Sequence, residues 1–210
     1  MFNYISIIMN KIKSLLIILT SLFTLCSYAA DTAKDVLDKV AAKFERSQGM
    51  SIDFILHEGN SKSKGNLKIR KEKYCFSVEG AKIWFDGKTM WTYIKENEEV
   101  NITSPTEEEI RKTSPLSFLY MYNNGYDLKT SSSNTNYYEI TMTRSASSDT
   151  SARITVRINK KTYNPEIVKI EDKNNVVSVN VLSITETKIE DAEFRFEKKL
   201  YPNVDEIDLR

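Results

Sequence analysis

The chain has 210 residues, with 30 basic and 29 acidic side chains, two cysteines and one histidine. The charges are interspersed and nearly balanced, so no basic face offers itself to nucleic acid. One histidine leaves little material for a zinc site or a Cys–His nucleophile.

The first segment carries an export pattern. Lys11 and Lys13 precede an apolar run from Leu15 to Leu25, and Ser27-Tyr28-Ala29 places small residues before Ala30. This predicts a secretory signal peptide over residues 1–29, with translation starting at Met1 or Met9 and cleavage ahead of Ala30. The apolar run is shorter than the roughly 20 residues a bilayer span takes. Leu25 before Cys26 does not suit a lipobox. The segment holds two lysines and no acid, so residues 30–210 keep 28 basic against 29 acidic side chains. They are expected to form one exported domain around a full core. Cys75, alone after processing, reads as a buried side chain, and His57, beside Glu58, as a surface residue of a strand.

Residues 33–48 predict a helix, because Ala33, Val36, Leu37, Val40, Ala41 and Phe44 form one apolar stripe. Asp31 or Thr32 can cap it and Gly49 can close it. After Gly49 the period changes to two, through Ile52, Phe54 and Leu56, then Leu67 and Ile69, then Tyr74, Phe76 and Val78. Ile83-Trp84-Phe85, Asp86-Gly87 and Met90 to Ile94 read as a hairpin, followed by a short strand at Val100 and Ile102. Thr106 to Lys112 is a charged helix candidate. Ser114-Pro115 then opens a second helical run through Leu116, Phe118, Leu119 and Tyr122, apolar on nearly every side. Such a helix needs apolar partners all round.

Strand patterns resume at Tyr126 to Leu128 and recur around Ile140, Ile154, Ile167 and Val179. Residues 131–136 and 145–151 read as loops, Phe194 and Phe196 as a late short strand, and the tail after Asn203 as a sheet-edge segment. About ten antiparallel strands with two helical segments predict a single α+β domain. Its sheet is wide enough to curl, and its helices cover the concave side.

Four motifs in order resemble the periplasmic outer-membrane lipoprotein carrier (LolA-like) family. They are Gly65 to Arg70 with Tyr74 and Phe76, the hairpin Trp84 to Tyr93, Ser114-Pro115-Leu116 with Phe118-Leu119, and Phe194-Arg195-Phe196 with Val204 to Asp208. The likeness spans roughly residues 35–208. Lys71 stands where that family has proline, and the region after residue 125 carries no motif.

The resemblance implies a strongly curved antiparallel sheet, a half-open β-barrel closed by a helical lid, with lipoprotein acyl chains held between. It implies that Arg70 latches the lid by hydrogen bonding to helix backbone. It also implies that Phe76 lines the inner wall and that Leu116, Phe118 and Leu119 face the cargo. Trp84, Trp91 and Tyr93 belong to the hairpin motif and join the cargo-binding candidates, with their facing left open. The implied setting is the periplasm, for a monomer without cofactor or metal. The implied partners are an inner-membrane lipoprotein-releasing ABC transporter as donor and a LolB-like outer-membrane acceptor. A lipid- or protein-binding envelope sensor on the same fold is the alternative. A hydrolase finds no support, since G-x-S-x-G and a histidine cluster are both absent from the sequence, and no P-loop offers nucleotide fuel.

Overall fold

Thr32 opens the first helix, α1 (Ala33–Arg46), with a capping box. Its hydroxyl accepts from the Asp35 amide, and the Asp35 carboxylate accepts from the Thr32 amide at 3.0 Å. The helix ends two residues earlier than the pattern suggests. The apolar stripe Ala33, Val36, Leu37, Val40 and Phe44 is buried. These are features of a computed structural model that describes residues 31–113, 122, 123, 125–144, 153–172 and 175–210. The expected export segment, the expected lid residues Leu116, Phe118 and Leu119, and the loop expected at 145–151 lie outside the described residues.

Twelve strands follow: β1 (Met50–Glu58), β2 (Ser61–Arg70), β3 (Lys73–Val78), β4 (Ala81–Phe85), β5 (Met90–Ile94), β6 (Glu99–Thr103), β7 (Tyr126–Ser133), β8 (Tyr137–Arg144), β9 (Arg153–Asn159), β10 (Pro165–Glu171), β11 (Val176–Glu186) and β12 (Asp205–Asp208). They form one open sheet in the order β12-β6-β5-β4-β3-β2-β1-β11-β10-β9-β8-β7. Every described pairing is antiparallel except β12 beside β6, which is parallel. The expected half-open barrel is therefore the architecture found, with α1 packed on its inner face. A short helix, α2 (Glu107–Thr113), follows β6 and is capped by Thr106, whose amide donates to Glu109 at 2.7 Å.

Two local expectations are corrected. Residues 131–133 continue β7 rather than forming a loop, because pairing with β8 carries across a bulge at Thr130/Ser132. Phe194 and Phe196 do not make a strand. The chain there winds through 3-10 turns at Asp191–Phe194 and Lys198–Leu200, before the tail joins the sheet edge as β12.

The main core lies between α1 and the inner face. It draws on both halves of the sheet, from Met50, Ile52, Ile69, Tyr74 and Phe85 to Ile140, Met142, Ile154, Val156 and Ile158. Strand β6 stands one place from one edge of the sheet and β7 forms the other edge, so the connection carrying α2 and Tyr122 joins the two sides of the opening.

Candidate functional site

Burial along the inner face falls from one end of the barrel to the other. On β1, Met50, Ile52 and Phe54 are buried, Leu56 is half-buried and Glu58 is exposed. On β3, Tyr74 is buried while Phe76 and Val78 are half-buried, and on β4 Phe85 is buried while Ile83 is not fully so. Across the sheet Leu56 pairs with Val179 and Val179 with Val168, both half-buried, while Ile170 is 40% exposed. One end is thus filled by the α1 stripe. The other, bounded by the β1–β2, β3–β4 and β10–β11 turns, presents apolar side chains that their own neighbours do not fully cover.

The floor of that region is aromatic. Phe54 and Phe76 stack with ring centroids 5.5 Å apart. Gly65 pairs with Phe54 across β1–β2 and makes the stack possible. A Cβ there would stand 2.4 Å from Phe54 Cζ and 2.8 Å from the Ser77 carbonyl oxygen. The glycine therefore leaves room for a ring laid against the sheet. The structure puts Phe76 on the inner face, among the half-buried apolar residues packed against the main core.

The hairpin aromatics lie elsewhere. Trp84 pairs with Cys75 and Trp91, and Lys82 pairs with Tyr93, which puts all three aromatics on the face opposite Phe76 and Ile83. There the segment after β11 forms a second core. Ile189 and Phe194 are fully buried against Cys75 and Trp84, with Trp91, Tyr93, Phe196 and Tyr201 packed around them. Trp84 meets Phe196 and Tyr201 edge-on, each at 5.6 Å, and Lys82 Nζ stands 4.8 Å from its ring centroid. Strand alternation turns Trp84, Trp91 and Tyr93, whose facing the motif left open, to the outer side of the sheet, where the segment after β11 packs against them.

Arg70 also points outward, one residue beyond inward-facing Ile69. Its guanidinium donates to the Ile189 carbonyl and to the Asp191 carboxylate, and lies 5.4 Å from the Phe194 ring centroid. Lys73 reaches the same carboxylate oxygen at 2.6 Å, and Lys68 pairs with Glu193. Among the described residues Arg70 thus fastens the segment after β11, an outer strap over residues 187–204, and the helix it was expected to latch lies, apart from Tyr122, outside them.

Tyr122 is the last residue of the expected lid run and its one described member. Its ring is buried in the main core, and its hydroxyl donates to Asp38 Oδ1 on α1 at 2.5 Å. Desolvation, then the bond to Asp38, pushes the phenol up to about 12. The Lys34 ammonium, then the Tyr122 hydroxyl, hold the Asp38 carboxyl below its usual range. On α2, Ile110 packs against the same core. Cys75 is buried, and burial raises its thiol. Half-buried His57 stands 3.4 Å from the Asn180 side chain. Among the described residues no group of His, Cys, Asp or Glu could hold a metal ion.

Two clefts off the inner face, about 520 and 780 Å³, are lined largely by charged residues such as Asp38, Lys43, Arg46, Glu72 and Lys188, chemistry unsuited to hydrocarbon. No helix among the described residues is long and apolar enough to cross a membrane.

An open curved sheet, filled by a helix at one end and left apolar at the other, defines a half-barrel rather than a closed barrel or a sandwich. The chain belongs to the family described as outer membrane lipoprotein carrier protein LolA, which it matches over residues 22–174. No curated protein matches it.

Among solved structures, an uncharacterized conserved protein from Thermus thermophilus overlays with a TM-score of 0.58 at 12% identity, over 84% of this chain and 98% of that one. The LolA superfamily protein NE2245 from Nitrosomonas europaea overlays at 0.41 and 12%, over 80% and 99%. A chain of the Pseudomonas aeruginosa MucA/MucB complex overlays at 0.46 and 11%, over 80% and 62%. The first of these shows a shared fold and nothing finer.

Proposed function

We propose that this protein is a non-enzymatic carrier that takes lipoprotein acyl chains onto its inner face and moves them through the periplasm. The supporting observation is the burial gradient. Leu56, Phe76, Val78, Ile83, Val168 and Val179 form an apolar surface that the chain's own side chains leave half-covered. Monomeric proteins seldom keep such contiguous surface without a use for it.

The energetic need is large. At roughly 0.8 kcal/mol per buried CH₂, a sixteen-carbon chain in water costs about 12 kcal/mol, so an anchor crossing an aqueous space needs a shield. Membership in the carrier family agrees with that use. In this reading a membrane transporter loads the carrier and an outer-membrane acceptor unloads it.

The test is recovery of the full exported chain from a periplasmic extract, with mass spectrometry of whatever stays bound. Acylated lipopeptide at about one per chain, and uptake of lipoproteins from membrane vesicles, are the expected results. A chain that comes away empty, takes up no fluorescent fatty acid and leaves lipoproteins in the vesicles refutes the proposal. Capture of a regulatory protein without any lipid would favour a sensor.

A further inference from the structure

The open sheet has a weak place at its β7 edge. Among the described residues β7 pairs with a strand on one side only, β8. Its outer half, residues 129–133, is exposed, and only Tyr126 and Leu128 pack against the main core. A strand so placed is held by fewer neighbours than an interior strand, and lifting it would widen the barrel.

Helix α1 is a fixed post by comparison. Its stripe is buried, and its other flank is tied to the β9–β10 turn. There Lys43 donates to the Thr162 carbonyl at 3.0 Å and to the Asn164 side chain, and Lys39 donates to the Tyr163 hydroxyl at 3.1 Å. Helix α1 and β7 touch directly, and Tyr122, four residues before β7, adds a polar link between post and edge. Its hydroxyl reaches Asp38 Oδ1 at 2.5 Å, and Lys34 holds both Asp38 oxygens at 3.0 and 2.8 Å. The Lys34 ammonium also stands 5.7 Å from the Tyr122 ring centroid.

We infer that Lys34, Asp38 and Tyr122 form a clasp that ties the free edge of the sheet to α1 and so sets how fast a hydrocarbon leaves the inner face. The ligand part of this inference rests on the function proposed above, whereas the mechanical part does not. A hydroxyl donating to a carboxylate makes a charge-assisted bond, about twice as strong as a neutral one. Tyr122→Phe removes that bond and keeps the ring, so the core packing stays. Asp38→Ala removes the acceptor and the Lys34 pair with it, so the double variant should behave like Asp38→Ala alone.

The experiment compares hydrogen exchange of residues 126–133 in the full chain and the variants, and measures dissociation of a fluorescent sixteen-carbon fatty acid by stopped flow. About tenfold faster exchange confined to β7, with several-fold faster probe release, is the expected result. Unchanged exchange in Tyr122→Phe overturns the clasp. Faster exchange with unchanged release overturns its control over the ligand. A wild-type chain that exchanges as expected but binds no probe refutes the carrier function and leaves the mechanical part standing. If Tyr122→Phe does not fold, Lys34→Gln, a change on the exposed side of α1, carries the same comparison with a smaller expected effect.

Discussion

Replacing Gly65 with alanine tests the arrangement of the aromatic floor directly. The new methyl group would sit 2.4 and 2.5 Å from two carbons of the Phe54 ring and 2.8 Å from the Ser77 carbonyl oxygen. Ordinary carbon contacts begin near 3.5 Å, so the ring must move by about 1 Å. That ring is 3% exposed and stacked on Phe76, so it has no free direction except toward the open end. Overpacking of this kind costs roughly 1–3 kcal/mol. Alanine regains about 0.5–1 kcal/mol of backbone entropy relative to glycine in a strand. The net loss is centred near 1 kcal/mol, within about 0–2.5 kcal/mol, and each kcal/mol lowers Tm by about 2–4 °C for a domain of this size. Thermal unfolding followed by circular dichroism reads it. Adding Phe54→Leu should recover the share due to the ring and leave the share due to the Ser77 carbonyl. A single variant with an unchanged or raised Tm would show that Gly65 is an ordinary strand position with no part in shaping the floor.

Other expectations follow from the two faces. Trp84→Ala should lower stability by roughly 3–5 kcal/mol, as buried tryptophan truncations do, while the folded fraction keeps wild-type affinity for a fatty-acid probe; lost affinity in that fraction would return Trp84 to the site. Leu56→Glu should abolish probe binding with little change in Tm, since it puts a charge on a half-covered apolar wall. Arg70→Leu should speed hydrogen exchange of residues 189–196 and leave ligand hand-over unchanged; stalled hand-over would restore the latch. Asp38 titrates below its usual value when folded, so its contribution to stability is full above the unfolded carboxylate pKa and disappears as pH falls through the folded one. Asp38→Asn should therefore flatten the acid limb of a stability–pH curve below about pH 4.

Helix α1 is legible because burial of one stripe is a local property, written at spacings of three and four residues. The strands up to β6 are legible for the same reason at period two. Strand alternation also gave the facing of Arg70 and the hairpin aromatics. Leu67 and Ile69 face inward, so Arg70 cannot, and Ile83 and Phe85 flank Trp84 in the same way. Three apolar residues in a row signal a strand covered on both sides. What the residues did not disclose is the cover itself. Ile189, Phe194 and Tyr201 are more than a hundred residues from Cys75, and no local period reports that distant contact. The Tyr122–Asp38 bond spans 84 positions and is hidden likewise. β12 pairs in parallel with a strand a hundred residues earlier, and only its alternating apolar and acidic residues hinted at a sheet edge.

The outer strap bears on the inner face through stability. Six apolar side chains left half-covered forfeit about 0.5–1 kcal/mol each, together several kcal/mol against a total near 5–15 kcal/mol for ordinary domains. Ile189 and Phe194, fully buried outside, contribute about 1.5–3 kcal/mol each, which offsets most of that loss. The location fits the need. The strap packs on β3 and β4, whose inner residues Phe76 and Ile83 are among those left half-covered, and it is fastened there by Arg70, Lys73 and Lys68. A sheet held firmly from outside can keep its inside unfilled without unfolding, and a strand clasped only at one edge can still move. On the proposed function, the two features together would let the inner face stay uncovered without loss of the fold and let the β7 side yield.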